Sequence, residues 1–308
     1  MQLDFSGDGL PEPSFENAVD HDAEGFATVP VCGVPLRLRQ SEILGGRLWT
    51  GGLRLALEIE RGVALHELGE GRDGAPLDGT SLEGKRVIEL GAGCAGLPGV
   101  ALALRHKMRV TLSEHPDVVP ILRENIKSVK KQVAALAEEG KLPRDVAEAV
   151  QSMRVVAFDW RDEAALAAYA TDAEATQPSV RGNLNENESV GGFPLVIWAD
   201  AGYFSDHGLL LRAAAATCAP GGVILATESL RSEAATRGFR KAFGANGLFA
   251  VRVLGDGDLR IDETWTLAME WQNRSEGRLA RRAVAQGTFD KKYAARIERF
   301  LPPERKSR

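Results

Sequence analysis

Residues 86–99, RVIELGAGCAGLPG, constrain the fold more than any other stretch of this chain. The apolar run Val87, Ile88 and Leu90 passes directly into Gly91, Gly93, Gly96 and Gly99, and a helical pattern follows through Val100, Ala101, Leu102 and Leu104. Strand, glycine turn and helix in that order open a β-α-β unit. Glycines allow a tight bend and a close approach of backbone to ligand, and the free N–H groups of the new helix face whatever binds. Turns of this kind serve several nucleotide-bearing ligands, so the turn alone does not choose among them.

Acidic residues make the choice. One stands at the end of each of four successive apolar runs: Glu89 in VIEL, Glu114 in VTLSE, Asp159 in VVAFDW and Asp200 in LVIWAD. In an open parallel sheet the strand C-termini share one edge, where ligands bind, so the four carboxylates are expected to converge on one cleft. The pyrophosphate of a dinucleotide would meet like charge there. A ligand with a sulfonium, an ammonium, ribose hydroxyls and an adenine amine would be favoured, which is S-adenosylmethionine.

The remaining patterns predict a doubly wound α/β fold. Strands are expected at 109–113, 153–158, 195–199 and in GGVILATES, with LFAVRVL and ETWTLAMEW as a terminal antiparallel pair. Helices are expected after Trp49, from about Asp117 towards Leu136, in HGLLLRAAAATCA and over 231–243. Residues 130–150 form an inserted helical hairpin broken by Gly140 and Pro143, and a second insertion covers 165–192. The domain is expected to occupy 31–273, between an acidic, flexible segment at 1–30 and a basic extension at 274–308.

At 308 residues, 44% hydrophobic and 26% charged, the chain can bury a large core. The net charge of -5 argues against a generalised nucleic-acid binder, although charge is unevenly spread. Residues 1–36 hold seven acids and no Lys or Arg, whereas 274–308 hold eleven basic residues against four acids. Cys32, Cys94 and Cys218 are odd in number and far apart, which gives neither a disulfide framework nor a metal-binding spacing. With no apolar leader and no 18-residue apolar run, a cytoplasmic protein, or a nuclear one, without membrane contact is expected, and a monomer is favoured.

With these runs in place, the chain resembles the seven-β-strand S-adenosylmethionine-dependent methyltransferases, and within them the protein-lysine methyltransferase family 16. The similarity covers about residues 45–271 and is carried by LWTGGLRLA, LEGKRVIELGAGCAGLPG, VTLSEHPDVVPILRENI, FDW, VIWADAGYF and the later Arg231. An acid, two residues and an aromatic after the fourth strand mark the family, and Asp200 to Tyr203 (DAGY) match. The resemblance implies strand order 3-2-1-4-5-7-6, S-adenosylmethionine as cofactor, and a protein substrate presenting a lysine.

It also implies roles for single residues. Gly91 and Gly93 would wrap the methionine part of the cofactor, and Glu89 and Trp49 would lie near its amino-acid end. Glu114 would take the ribose hydroxyls, since a carboxylate offers two acceptors to a vicinal diol. Asp159 and Trp160 would contact adenine, while Asp200 and Tyr203 would face the acceptor as the catalytic pair. His115 and His207 flank the cleft and are expected to be structural. The glycine turn is longer than the family's usual GAG-x-GL, and Glu114 stands where Asp is commoner. A small-molecule N-methyltransferase on the same fold and a non-catalytic cofactor-binding protein are the alternatives.

Overall fold

The computed structural model describes residues 20–22, 24–62, 82–171, 192–201, 207–229, 249–254, 264–272, 274–290 and 293. It begins with β1 (Asp20–His21), β2 (Phe26–Val31) and β3 (Val34–Arg39), an antiparallel sheet in that order. Alternation in FATVPV and VPLRLR buries Ala27, Val29, Val31, Val34, Leu36 and Leu38 on one face and turns Arg37 and Arg39 outward. The sequence reading places residues up to 30 in a flexible acidic segment. Asp20–His21 and Phe26–Val31 are strand instead, and Asp22 and Glu24 in the turn between them have local partners. Asp22 accepts the N–H groups of Glu24 and Phe26 and pairs with Arg37. The preceding acids lie outside the described residues.

Helix α1 (Thr50–Arg61) leads towards a seven-stranded sheet of β4 (Arg86–Leu90), β5 (Arg109–Glu114), β6 (Arg154–Ala157), β7 (Phe193–Ala199), β8 (Cys218–Ser229), β9 (Phe249–Leu254) and β10 (Thr264–Trp271). Its order is β6-β5-β4-β7-β8-β10-β9. Counted from β4 as the first strand, this is 3-2-1-4-5-7-6. The pairs from β6 to β8 are parallel, and β10 runs antiparallel to both β8 and β9.

Helices cover both faces, as continuous apolar runs in a parallel sheet require. On one face α1, α2 (Leu97–His106), α3 (Val119–Glu138), α4 (Arg144–Ser152) and the small sheet pack on Val87, Val110, Leu195, Ile197 and Leu225. On the other, α5 (Glu163–Thr171), α6 (His207–Thr217) and α7 (Arg274–Ala285) pack on Ile88, Leu90, Val196, Trp198 and Ile224.

Helix α7 lies beyond residue 273, where the basic extension is expected to begin, and packs on the sheet. Ala280, Ala283 and Val284 are buried on it, and Arg281, only 5% exposed, donates to the carbonyl oxygens of Ala216, Cys218 and Tyr169. Its charges made the segment read as a tail, yet one of them satisfies three carbonyls inside the fold. The inserted hairpin at 130–150 packs with the preceding Val129 through Val133, Ala147 and Val150, all buried in one cluster. Helix α3 begins at Val119, after Asp117, and has no acid in its first turn. The helix expected at 231–243 and most of the second insertion lie outside the described residues, although α5 occupies its start. Among the described residues no helix is long and apolar enough to cross a membrane, and no group of three or more His, Cys, Asp or Glu is placed to hold a metal ion. The three cysteines are unbridged.

Candidate functional site

The sheet order reverses between β4 and β7, the position where α/β sheets open a crevice beyond their strand C-termini. Gly91, Gly93 and Gly96 follow β4 with φ of +65, +61 and +56°, the left-handed region that favours glycine. A Cβ on Gly91 would lie 3.5 Å from the Trp160 ring and 3.7 Å from Cβ of Ala201. The turn, the segment after β6 and the end of β7 therefore meet at one point. Gly99 lets α2 approach the sheet: a Cβ there would fall 2.5 Å from Leu112 and 2.7 Å from Glu89 Oε2.

Glu114 ends β5 and is held from two sides. Oε2 accepts the N–H of Gly93 at 2.6 Å, and Oε1 accepts the N–H of His115 at 2.7 Å. Burial raises its pKa, and these two hydrogen bonds oppose the rise. The carboxylate is thus a fixed acceptor at the lip of the glycine turn.

Glu89 is placed differently from the expectation of four converging carboxylates. It lies within β4, below the turn, on the face towards α2, is 2% exposed, and its Oε2 accepts the Gly99 N–H at 2.8 Å. Burial, reinforced by the charge of Glu114 and opposed by the Gly99 hydrogen bond, pushes its pKa up to about 8. At neutral pH it is mainly protonated and supports the turn from beneath. The same pleat orients Ser113, whose hydroxyl donates to the Glu89 carbonyl at 2.7 Å.

Asp159 stands at the expected edge but has a partner. Arg161 grips it through Nε and Nη2, each at 2.9 Å, and Arg161 N–H donates to Oδ1. This pair holds the Asp159 carboxyl below its ordinary range. His115 Nε2 lies 2.9 Å from Arg161 Nη2 and 3.6 Å from Asp159 Oδ2, so these three side chains form one rim cluster. Trp160 is half-buried against Gly91.

Asp200 follows β7 at φ +53°, is 4% exposed, and continues the ladder through its N–H to Thr227 O at 2.7 Å. Its Oδ2 accepts the N–H of Gly51 at 2.7 Å. It therefore caps α1, a helix distant in sequence, whose own N-cap residue Trp49 makes no side-chain cap bond. Trp49, half-buried, and Asp200 consequently share one end of α1. Tyr203 and Arg231 lie outside the described residues. His207 is buried at the start of α6.

The sequence reading missed two glycines that shape this edge. Gly51 has no room for a side chain beside Asp200. Gly45, at φ +81°, places its carbonyl oxygen 3.3 Å from where a Cβ of Gly93 would stand. Both lie in or just before LWTGG, and glycines so close to a glycine turn were the available signal.

Residues 35–159 match a family model described as lysine methyltransferase. The matched part contains the glycine turn, Glu89, Glu114 and Asp159, and ends before Asp200. Among solved structures, a predicted O-methyltransferase, protein Atu636 from Agrobacterium tumefaciens, is 18% identical with a TM-score of 0.41 over 63% of this chain and 77% of its own. Precorrin-6y C5,15-methyltransferase from Geobacter metallireducens is 14% identical with a TM-score of 0.38 over 77% and 94%. TYW2 from P. horikoshii in complex with MeSAdo is 12% identical with a TM-score of 0.39 over 81% and 72%. The comparison with curated proteins returns no match.

Proposed function

We propose that this chain is an S-adenosylmethionine-dependent methyltransferase that transfers a methyl group to a lysine amine of a protein. The match of residues 35–159 to the lysine methyltransferase model supports the reaction class. The observation that carries the cofactor is Glu114, fixed at the lip of the glycine turn by the N–H groups of Gly93 and His115. Two such bonds leave lone pairs on both oxygens, and a rigid carboxylate suits a vicinal diol. The left-handed glycines beside it leave the backbone bare, as a ligand lying against the turn requires.

The cofactor would supply an electrophilic methyl on a sulfonium with a good leaving group. The protein then contributes mainly orientation, an effect of about 7–11 kcal/mol in favourable systems. Gly91, Gly93 and Glu114 hold one end, Trp49 and α1 border the other, and Trp160, whose ring edge lies against Gly91, bounds the adenine side. Asp159 reaches adenine only in competition with Arg161. Glu89 acts through Gly99, keeping α2 in register beneath the turn.

A lysine amine must lose its proton before it attacks, and its ordinary pKa is about 10.4. Entry into a partly dry cleft beside a cation favours the neutral form. Asp200 draws the incoming ammonium to the end of α1, where its own position is fixed by Gly51. Because a carboxylate there stabilises the charged amine, Asp200 positions the acceptor and does not abstract its proton. Tyr203, three residues on, would bound the acceptor channel. A cytosolic protein is the expected target.

Transfer of radiolabelled methyl from the cofactor into cell lysate tests this function, with Asp200→Ala as control. A labelled protein band that the variant abolishes supports it. Label confined to small molecules would move the assignment to a small-molecule N-methyltransferase, and absence of label under saturating cofactor would overturn it.

A further inference from the structure

The edge of β3 and the glycine turn are joined by one side chain. Asn125, in the second turn of α3, is 2% exposed. Its Oδ1 accepts the N–H of Arg39 at 2.8 Å, and its Nδ2 donates to the carbonyl oxygens of Arg39 at 2.9 Å and of Cys94 at 2.7 Å. A side-chain amide copies a peptide group, so Asn125 serves both backbone groups of Arg39 as a neighbouring strand would. Arg39 is the last residue of β3, an edge strand of its sheet. Cys94 lies inside the glycine turn, between Gly93 and Gly96, and is buried.

The chain after Arg39 makes the link consequential. Residues 40–48 fold back on themselves through Ser41 N–H to Gly46 O and Gly46 N–H to Ile43 O, both 2.8 Å, and through Leu48 N–H to Gln40 Oε1 at 2.9 Å. Gly45 seats this segment on the glycine turn and against Val118, one of whose methyl groups is 3.3 Å from the position of its absent Cβ. The segment delivers Trp49 and the N-terminus of α1 to Asp200. Both ends of the cover thus refer to the same cleft, and Asn125 fixes the end that begins at Arg39.

We propose that Asn125 is a positioning residue that registers the 40–49 segment on the glycine turn, so that Trp49 and the end of α1 stand ready at the cofactor's amino-acid end. The inference rests on the methyltransferase reading for its effect on cofactor, but the coupling of 40–49 to the turn is a property of the apoprotein. Buried amide partners that lose their mate carry an uncompensated desolvation penalty, which loosens a short surface segment. Asn125→Asp keeps the shape and the acceptor but sets oxygen against the carbonyls of Arg39 and Cys94. Asn125→Ala removes both donors and the acceptor without burying a charge and serves if the first variant does not fold.

The test combines backbone hydrogen exchange with methyl transfer into lysate. In the variant, amides of residues 41–48 should exchange faster by on the order of tenfold, while β4 and β5 keep their protection. The apparent KM for S-adenosylmethionine should rise by about tenfold with the maximal rate within about twofold, since ground-state assembly of the site is what has been weakened. Unchanged exchange at 41–48 overturns the proposal, and so does a uniform loss of protection through β4 and β5, which would mark Asn125 as plain core. If the wild type shows no methyl transfer at all, the functional reading fails, and exchange alone still decides whether Asn125 couples the two segments.

Discussion

Asp200 Oδ2 and the amide N–H of Gly51 are joined by a 2.7 Å hydrogen bond across 149 positions of sequence, and this contact fixes the acceptor end of the proposed site to the first turn of α1. Exchanging glycine for alanine within a helix ordinarily stabilises by about 1 kcal/mol. Here the added Cβ would stand 2.7 Å from Asp200 Cγ, closer than real Cβ atoms approach, so the clash decides the sign. Gly51→Ala is expected to lower the melting temperature and reduce methyl transfer into lysate by about tenfold or more. Thermal melting and the radiolabel assay check both halves; a rise in melting temperature would contradict the packing.

Glu89 gives the fold a pH dependence. Its pKa is raised from 4.5 to about 8, so between these values the folded state binds more protons than the unfolded one. Stability therefore falls as pH climbs through that window and is lowest above it. Glu89→Gln removes the effect, because an amide oxygen can still accept from Gly99. Melting curves at several pH values should show the variant gaining on the wild type from about pH 5 to about pH 9, and a constant difference would contradict the assignment.

Arg161 competes for Asp159. The pair is partly exposed, with Arg161 60% and Asp159 29% accessible, so it contributes about 1 kcal/mol or less to stability. Arg161→Gln should leave the melting temperature nearly unchanged while tightening S-adenosylhomocysteine binding by about threefold, as a freed carboxylate becomes available to the adenine amine. Isothermal calorimetry measures this, and weaker binding would mean that Arg161 itself holds the ligand.

Arg281 tests the packing of α7. Arg281→Met would leave the carbonyls of Ala216, Cys218 and Tyr169 without this donor, at a cost of roughly 2–4 kcal/mol. Denaturant unfolding should show a lower midpoint with an unchanged slope. No change would return α7 to the status of an appended tail.

These cases also show how far the residues alone carried the account. Continuous apolar runs ending in glycine or acid made the parallel strands and their order of appearance legible, because each feature is local. Partners distant in sequence were not legible. Asp200 reads as a site acid until α1 is seen beside it, and the grip of Arg161 on Asp159 shows only in the folded chain. Glu89 is the last residue but one of β4, and only its contact with Gly99 on α2 shows that its side chain lies beneath the turn. Arg281 is illegible for the same reason: its charge looks solvated, and only tertiary contact shows the carbonyls it serves.

Titration of S-adenosylhomocysteine into the wild type and Glu114→Ala, followed by calorimetry, bears most directly on the fixed carboxylate at the glycine turn. Saturable one-to-one binding to the wild type is expected, weakened by about tenfold or more when the acceptor of the Gly93 and His115 N–H groups is removed. A wild type that binds no S-adenosylhomocysteine, or a variant that binds it equally well, would contradict the account.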